Sequence, residues 1–249
     1  VAAIPFGIPI AHIHGGECTY GAFDEYFRHS LTKMSHLHFT STEAYANRIR
    51  QMGEEPWRVI VSGAPGIDNI LDFKGYEKAE LEAKYNIDLS KNVLLTTFHP
   101  ATMEYDRMEE YVGNLLVALE EFKNYNVVFT CPNADTNSHV IADRMRAFVN
   151  GHKGSYLVDN FGRVGYLGVM KVSKAMVGNS SSGIVEAASF HLPVVNIGTR
   201  QDGRIKSKNV IDVGYSSEEI KKGIRKAVSD AFHDSLEDLT NPYGDGKAS

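Results

Sequence analysis

Short apolar runs alternate with amphipathic stretches along nearly the whole chain, and this pattern restricts the fold more than any other feature. Apolar runs at 8–13, 37–40 and 59–61 are expected strands, as are those at 93–97, 127–130, 156–158, 175–177, 194–197 and 210–213. Helices are expected between them. In 24–34, Phe27 and Leu31 follow Phe23 at i+4 and i+8. Ser41 or Thr42 caps a helix that runs to about Met52, and further helices are expected at 109–122 and 139–149. Strands alternating with helices imply right-handed crossovers and parallel sheets, an α/β fold.

Two such runs are separated by a charged helical stretch at 74–85. The expected organisation is therefore two Rossmann-like lobes. Residues 1–73 form the last part of the first lobe, 74–90 the connection, and 91–249 a second, nucleotide-binding lobe. A chain of 249 residues has room for one large domain or two small ones, at roughly 100–200 residues per domain.

Composition excludes several classes. Lys and Arg number 26 and Asp and Glu 31, a net charge of -5, so no general nucleic-acid surface is expected. Any anionic ligand must be met by a few arginines or by backbone donors. Cys18 and Cys131 lie far apart and in no C-x-x-C pair, which suits a reducing compartment, the cytoplasm. No apolar run reaches the roughly 20 residues that span a bilayer, and residues 1–6 lack the basic start of a signal peptide.

In open α/β sheets, ligands bind beyond the carboxyl ends of the strands. The segments that follow the expected strands are rich in functional groups: His12-Ile13-His14-Gly15-Gly16-Glu17, Phe98-His99-Pro100, Cys131-Pro132-Asn133-Ala134-Asp135, Gly178-Asn179-Ser180-Ser181-Ser182-Gly183 and Gly198-Thr199-Arg200-Gln201. The serine-rich segment is expected to open a helix at 181–190, with glycines that let a ligand approach, and to bind phosphate through N–H and hydroxyl donors. Ordinary N-capping by a serine is the alternative. Glu186, within two turns, could accept from ribose hydroxyls; simple complementarity to the helix dipole is the alternative. His99 is biased to an extended conformation by Pro100, and Arg200 and Arg204 are natural diphosphate partners; a solvent-exposed loop histidine and surface-solvated arginines are the alternatives.

His12-x-His14 has the spacing of one strand face and is a conceivable metal pair, although further ligands would be needed. Gly15 and Gly16 would let a ligand approach His14. Glu17, Asp24 and Glu25 supply carboxylates near the same rim, suited to acid–base work on a sugar; Asp24 and Glu25 equally suit the start of a helix.

Together with Asp24-Glu25-x-x-Arg28-His29 and Asn196-Ile197-Gly198-Thr199-Arg200-Gln201, these motifs resemble the UDP-N-acetylglucosamine 2-epimerase family, and most closely its hydrolysing branch in sialic and legionaminic acid synthesis. The resemblance runs from His12 to Asn241-Pro242-Tyr243-Gly244-Asp245-Gly246. It implies a glycosyltransferase-B-like fold, elimination of UDP to a 2-acetamidoglycal, and hydration to the 2-epimeric free sugar. It implies no NAD or metal cofactor, a UDP-sugar as substrate, no nucleic-acid or membrane partner, and a homodimer. His99, Asn133, Ser180, Ser181, Glu186 and Arg200 match nucleotide-binding positions, and Asp24 matches a catalytic acid. Some hydrolysing members carry Glu where this chain has His14, so either Glu17 or His14 takes that role here. The family begins with a strand, a Gly-containing loop and a further catalytic Asp that have no counterpart after Val1. The resemblance therefore implies a fragment whose first lobe is incomplete. A glycosyltransferase of the same fold and a non-catalytic UDP-sugar-binding fragment are the rival readings.

Overall fold

The computed structural model describes residues 1–20, 24–71, 73–100, 105–132 and 138–249. It contains two parallel sheets with helices between the strands. The first sheet has three strands, β1 (Ala11–Ile13), β2 (Leu37–Thr40) and β3 (Val59–Val61), with α1 (Asp24–Met34) and α2 (Glu43–Gln51) as crossovers. Two further helices follow, α3 (Pro65–Leu71) and α4 (Lys78–Tyr85).

The second sheet has six strands: β4 (Val93–Thr97), β5 (Asn126–Thr130), β6 (Ser155–Val158), β7 (Ala175–Gly178), β8 (Val194–Ile197) and β9 (Val210–Val213). Their spatial order is β6-β5-β4-β7-β8-β9, every neighbouring pair parallel. This is the doubly wound order, and it reverses between β4 and β7. The helices are α5 (Met108–Leu119), α6 (Ser138–Gly151), α7 (Gly162–Val172), α8 (Ser181–Val185), α9 (Ser217–Ala227) and α10 (Asp230–Asp234).

The apolar runs of β4 and β5 are continuous because both sheet faces are covered. Leu94, Val127 and Phe129 join Leu115, Ile141 and Ile224 in one core; Leu95 and Val128 join Leu81 and Met170 in another. Among the described residues no helix is long and apolar enough to cross a membrane.

Several expected elements differ. The strand expected at 8–13 shrinks to β1, because Pro9 has no N–H to donate to a neighbour. The helix expected from Lys74 begins at Lys78, where Glu77 and Glu80 form a capping box. Helix α3 is too short to show a clear apolar period, although Pro65 opens it in the position that favours proline. The helix expected at 181–190 ends at Val185; Ala187–Phe190 is a 3-10 turn, and His191 at φ 51 reverses the chain towards β8.

Candidate functional site

Two cavities lie side by side and share Ser181. The first, about 520 Å³, is lined by His12, His14, Glu17, Asp24, Arg28, Glu186 and Arg204. The second, about 570 Å³, is lined by His99, Cys131, Tyr166, Ser180, Ser182 and Arg200. A larger hollow of about 680 Å³ lies near Ile67, His191 and Leu239. Volume alone therefore does not pick out the site; the convergence of titratable groups does.

In the first cavity, Glu17 is only 2% exposed. Arg204 Nη2 lies 3.1 Å from its Oε2, and His14 Nδ1 lies 3.0 Å from its Oε1 without the alignment of a full hydrogen bond. Burial opposes ionisation of Glu17, yet His14 and Arg204 together outweigh it and hold its pKa below the ordinary value. Arg28 Nη1 donates to Glu17 O at 3.3 Å and to Thr19 Oγ1 at 3.1 Å, fixing the loop from α1. Glu186 goes the other way: burial pushes its carboxyl up. Arg204 keeps Nε and Nη1 buried without a hydrogen-bond partner among the described residues.

The second cavity sits at the strand-order reversal. His99 follows β4 and Asn179 follows β7. Their side chain and backbone interlock: His99 N donates to Asn179 Oδ1 at 2.7 Å, and Asn179 Nδ2 donates to His99 O at 2.8 Å. Arg200 Nη1 and Gln201 Nε2 both donate to Asn179 O, at 3.1 and 2.7 Å. Burial, reinforced by the charge of Arg200, lowers the His99 pKa to about 3, so the imidazole is neutral at ordinary pH. The Cys131 thiol is pushed up to about 11 by burial and by Asp159, whose Oδ1 accepts from Sγ at 3.2 Å. It is a poor nucleophile.

The three serines separate. Ser180 is the N-cap of α8 and its Oγ accepts from Ser182 N. Ser182 Oγ lies 2.7 Å from Tyr166 Oη. Ser181 is exposed and borders both cavities. The expected helix is thus little more than one turn, so it offers local N–H and hydroxyl groups at its start and no long macrodipole.

The glycines play a different part from the one expected. A Cβ at Gly178 would lie 1.9 Å from Thr97 O, and one at Gly16 would lie 2.4 Å from Tyr45 O. Both permit close packing of the chain on itself rather than ligand approach. The paired-histidine face also fails: β1 ends at Ile13, and His14 at φ 66 leaves the alternation of the strand. His12 turns to Thr32 Oγ1 at 3.2 Å, while His14 turns to Glu17.

His14, Glu17, Asp24 and Glu186 thus meet in one cavity, and His99, Ser180 and Arg200 in the other, with Ser181 between. Asn133 lies outside the described residues. Asn179, Tyr166 and Gln201 received no individual role from the sequence; only the position of Asn179 beside the serines hinted at one. Among the described residues, Cys18, Glu25 and His29 bring three ligating atoms within 4.8 Å. Glu25 there already accepts from Thr19 N at 2.6 Å and lies 2.9 Å from His29 Nε2.

The family model described as UDP-N-acetylglucosamine 2-epimerase matches residues 1–249. The polysialic acid biosynthesis protein P7 of Escherichia coli is 39% identical over 244 residues, 98% of this chain and 62% of that protein. A GDP/UDP-N,N'-diacetylbacillosamine 2-epimerase (hydrolyzing) of Campylobacter jejuni is 42% identical over 82% of this chain and 54% of its own. The chain thus spans about three fifths of the length of these curated relatives. The UDP-GlcNAc 2-epimerase of Neisseria meningitidis, solved bound to UDP-GlcNAc, superposes with a TM-score of 0.84 at 20% identity, covering 99% of this chain and 69% of that one. The α/β fold of parallel sheets is therefore that of the solved 2-epimerases, and the chain belongs to the UDP-N-acetylglucosamine 2-epimerase family.

Proposed function

We propose that the protein of which this chain is the matched portion is a hydrolysing 2-epimerase of a UDP-2-acetamido sugar. The observation that carries this reading is the junction at Ser181 of a cavity of carboxylates with a cavity of diphosphate donors. A nucleotide sugar lying across that junction puts its diphosphate near Ser180, Ser181, His99 and Arg200. Its sugar ring then faces Glu17, His14 and Asp24.

A base of the first cavity, Glu17 with His14 beside it, takes the proton from C2. The C1–O bond to UDP breaks, its electrons leave with the diphosphate, and a C1–C2 double bond forms. Arg200 and the backbone donors of α8 stabilise the departing charge. Water then adds its hydroxyl at C1, and a proton is delivered to C2 on the opposite face, with Asp24 as donor. The sum is UDP-sugar plus water giving UDP and the 2-epimeric free sugar. Glu186 accepts from the ribose. The names of the relatives support UDP-N,N'-diacetylbacillosamine or UDP-N-acetylglucosamine as the substrate. Residues 1–73 and 91–249 serve as parts of two lobes that close on it, in a homodimer.

The test is incubation of the complete protein with each UDP-sugar in deuterium oxide. Free UDP, a 2-epimeric sugar and one deuterium at C2 are expected. Sugar found on an acceptor would instead indicate a glycosyltransferase, and UDP binding without turnover a binding protein.

A further inference from the structure

We infer that Tyr45 and Tyr243 are positioning residues that hold Glu17 and Arg204 against each other. The two tyrosines come from opposite ends of the chain and meet in the interior, both 0% exposed. Tyr243 Oη donates to Ile205 O at 2.9 Å, and Ile205 N donates to Tyr45 Oη at 2.9 Å. The two hydroxyls are 3.0 Å apart. The Tyr243 hydrogen is committed to Ile205 O, so the Tyr45 hydrogen goes to Tyr243. The result is a closed ring in which every hydrogen has one acceptor.

That ring grips the residue next to Arg204. Tyr45 also supports the residue next to Glu17: Gly16, at φ 79, sits so close to Tyr45 O that a Cβ there would lie 2.4 Å away. Arg48, one turn on in α2, donates from Nη1 to Gly16 O. At the other end, Ala64 N donates to Tyr243 O at 2.7 Å and Asn241 Oδ1 accepts from Tyr243 N at 2.9 Å, so Tyr243 is itself fixed. One buried residue thus touches both flanks of the Glu17–Arg204 pair, its hydroxyl at Ile205 and its backbone carbonyl at Gly16, while neither tyrosine lines the cavity. The other groups facing Glu17 are His14, Arg28, Glu186 and Asp24. None of them forms part of the ring.

The inference rests on the proposed reaction only for its catalytic consequence, and its test separates the two. In the complete protein, the Glu17 carboxyl is followed by ¹³C NMR through an acid titration, in wild type, Tyr45→Phe and Tyr243→Phe. Loss of either hydroxyl leaves Ile205 half-held, Arg204 drifts from Glu17, and the Glu17 midpoint rises by about 0.5–1 pH unit. In parallel kcat falls about tenfold, with its acidic limb displaced upward and UDP affinity kept within about twofold. Tyr45→Phe adds no further rise in an Arg204→Gln background, because its route to Glu17 is already cut. An unmoved Glu17 midpoint in either folded variant overturns the inference. So does failure of both variants to fold while Arg204→Gln folds, since the ring would then be structural only. Absence of UDP-sugar hydrolysis in wild type would sink the proposed function and leave the titration result standing.

Discussion

The two sheets meet their surroundings in different ways. In the six-stranded sheet, every residue of β4, β5, β7 and β8 is buried. In the three-stranded sheet, the register pairs Ile13, Phe39 and Ile60 on one face, and Ile13 and Ile60 are 58% and 43% exposed. The opposite face carries His38 and Val59, both buried, against α2. The lesson is a division of labour. The large sheet is buried along its central strands, and its successive strand ends place His99, Ser180 and Arg200 around the second cavity. The first cavity takes His14, Glu17 and Asp24 from the side of the small sheet and Glu186 and Arg204 from the side of the large one, and the Glu17–Arg204 pair joins the two.

Five changes probe this division, from the largest effect to the smallest. Glu17→Gln removes the proposed base and should lower turnover by about 10²–10⁴-fold while leaving calorimetric UDP affinity unchanged; retained turnover would end its catalytic role. Phe129→Ala empties a fully buried site under the large sheet and should cost about 3–5 kcal/mol of unfolding free energy in denaturant. Acid titration should expose His99. Unfolded histidine binds a proton near 6.5 and the folded one near 3, so the unfolded state takes up more protons between these values, and stability falls as pH drops through that window. Each unit of separation is worth about 1.4 kcal/mol, and His99→Asn should flatten that limb of the stability curve. Arg200→Ala should weaken UDP binding by about 2 kcal/mol, roughly 30-fold, by loss of a charged hydrogen-bond donor; equal affinity would remove it from the diphosphate site. Val61→Ala, at a 43% exposed position of the small sheet, should shift stability by no more than about 0.5 kcal/mol. A cost near that of Phe129→Ala would erase the contrast between the sheets.

Most of the fold was legible because burial on both faces leaves continuous apolar runs, as at 93–97 and 194–197. Boundaries were lost where local chemistry overrode the pattern: Pro9 cut back the first strand, and His191 turned the chain after a shortened helix. The residue types expected at the strand ends do gather around two cavities. His14, Glu17, Asp24, His99, Ser180, Ser181, Glu186 and Arg200 all reach the two cavities. Their division between the cavities was not legible, nor was the assignment of Gly16 and Gly178 to internal packing. Both depend on contacts between segments far apart in the chain.

The sequence by itself determined the parallel α/β architecture and the kinds of groups delivered to the strand ends. Apolar periodicity and residue chemistry are local properties, and they survive in a one-dimensional reading. Only the tertiary structure decided that His14 turns away from His12, that Arg204 meets Glu17, and that Tyr45 and Tyr243 close a ring 198 residues apart around Ile205. A hydrogen bond has direction and a reach of about 3 Å. Which donor finds which acceptor is fixed once packing has brought the two ends of the chain together, and no spacing along the chain encodes it.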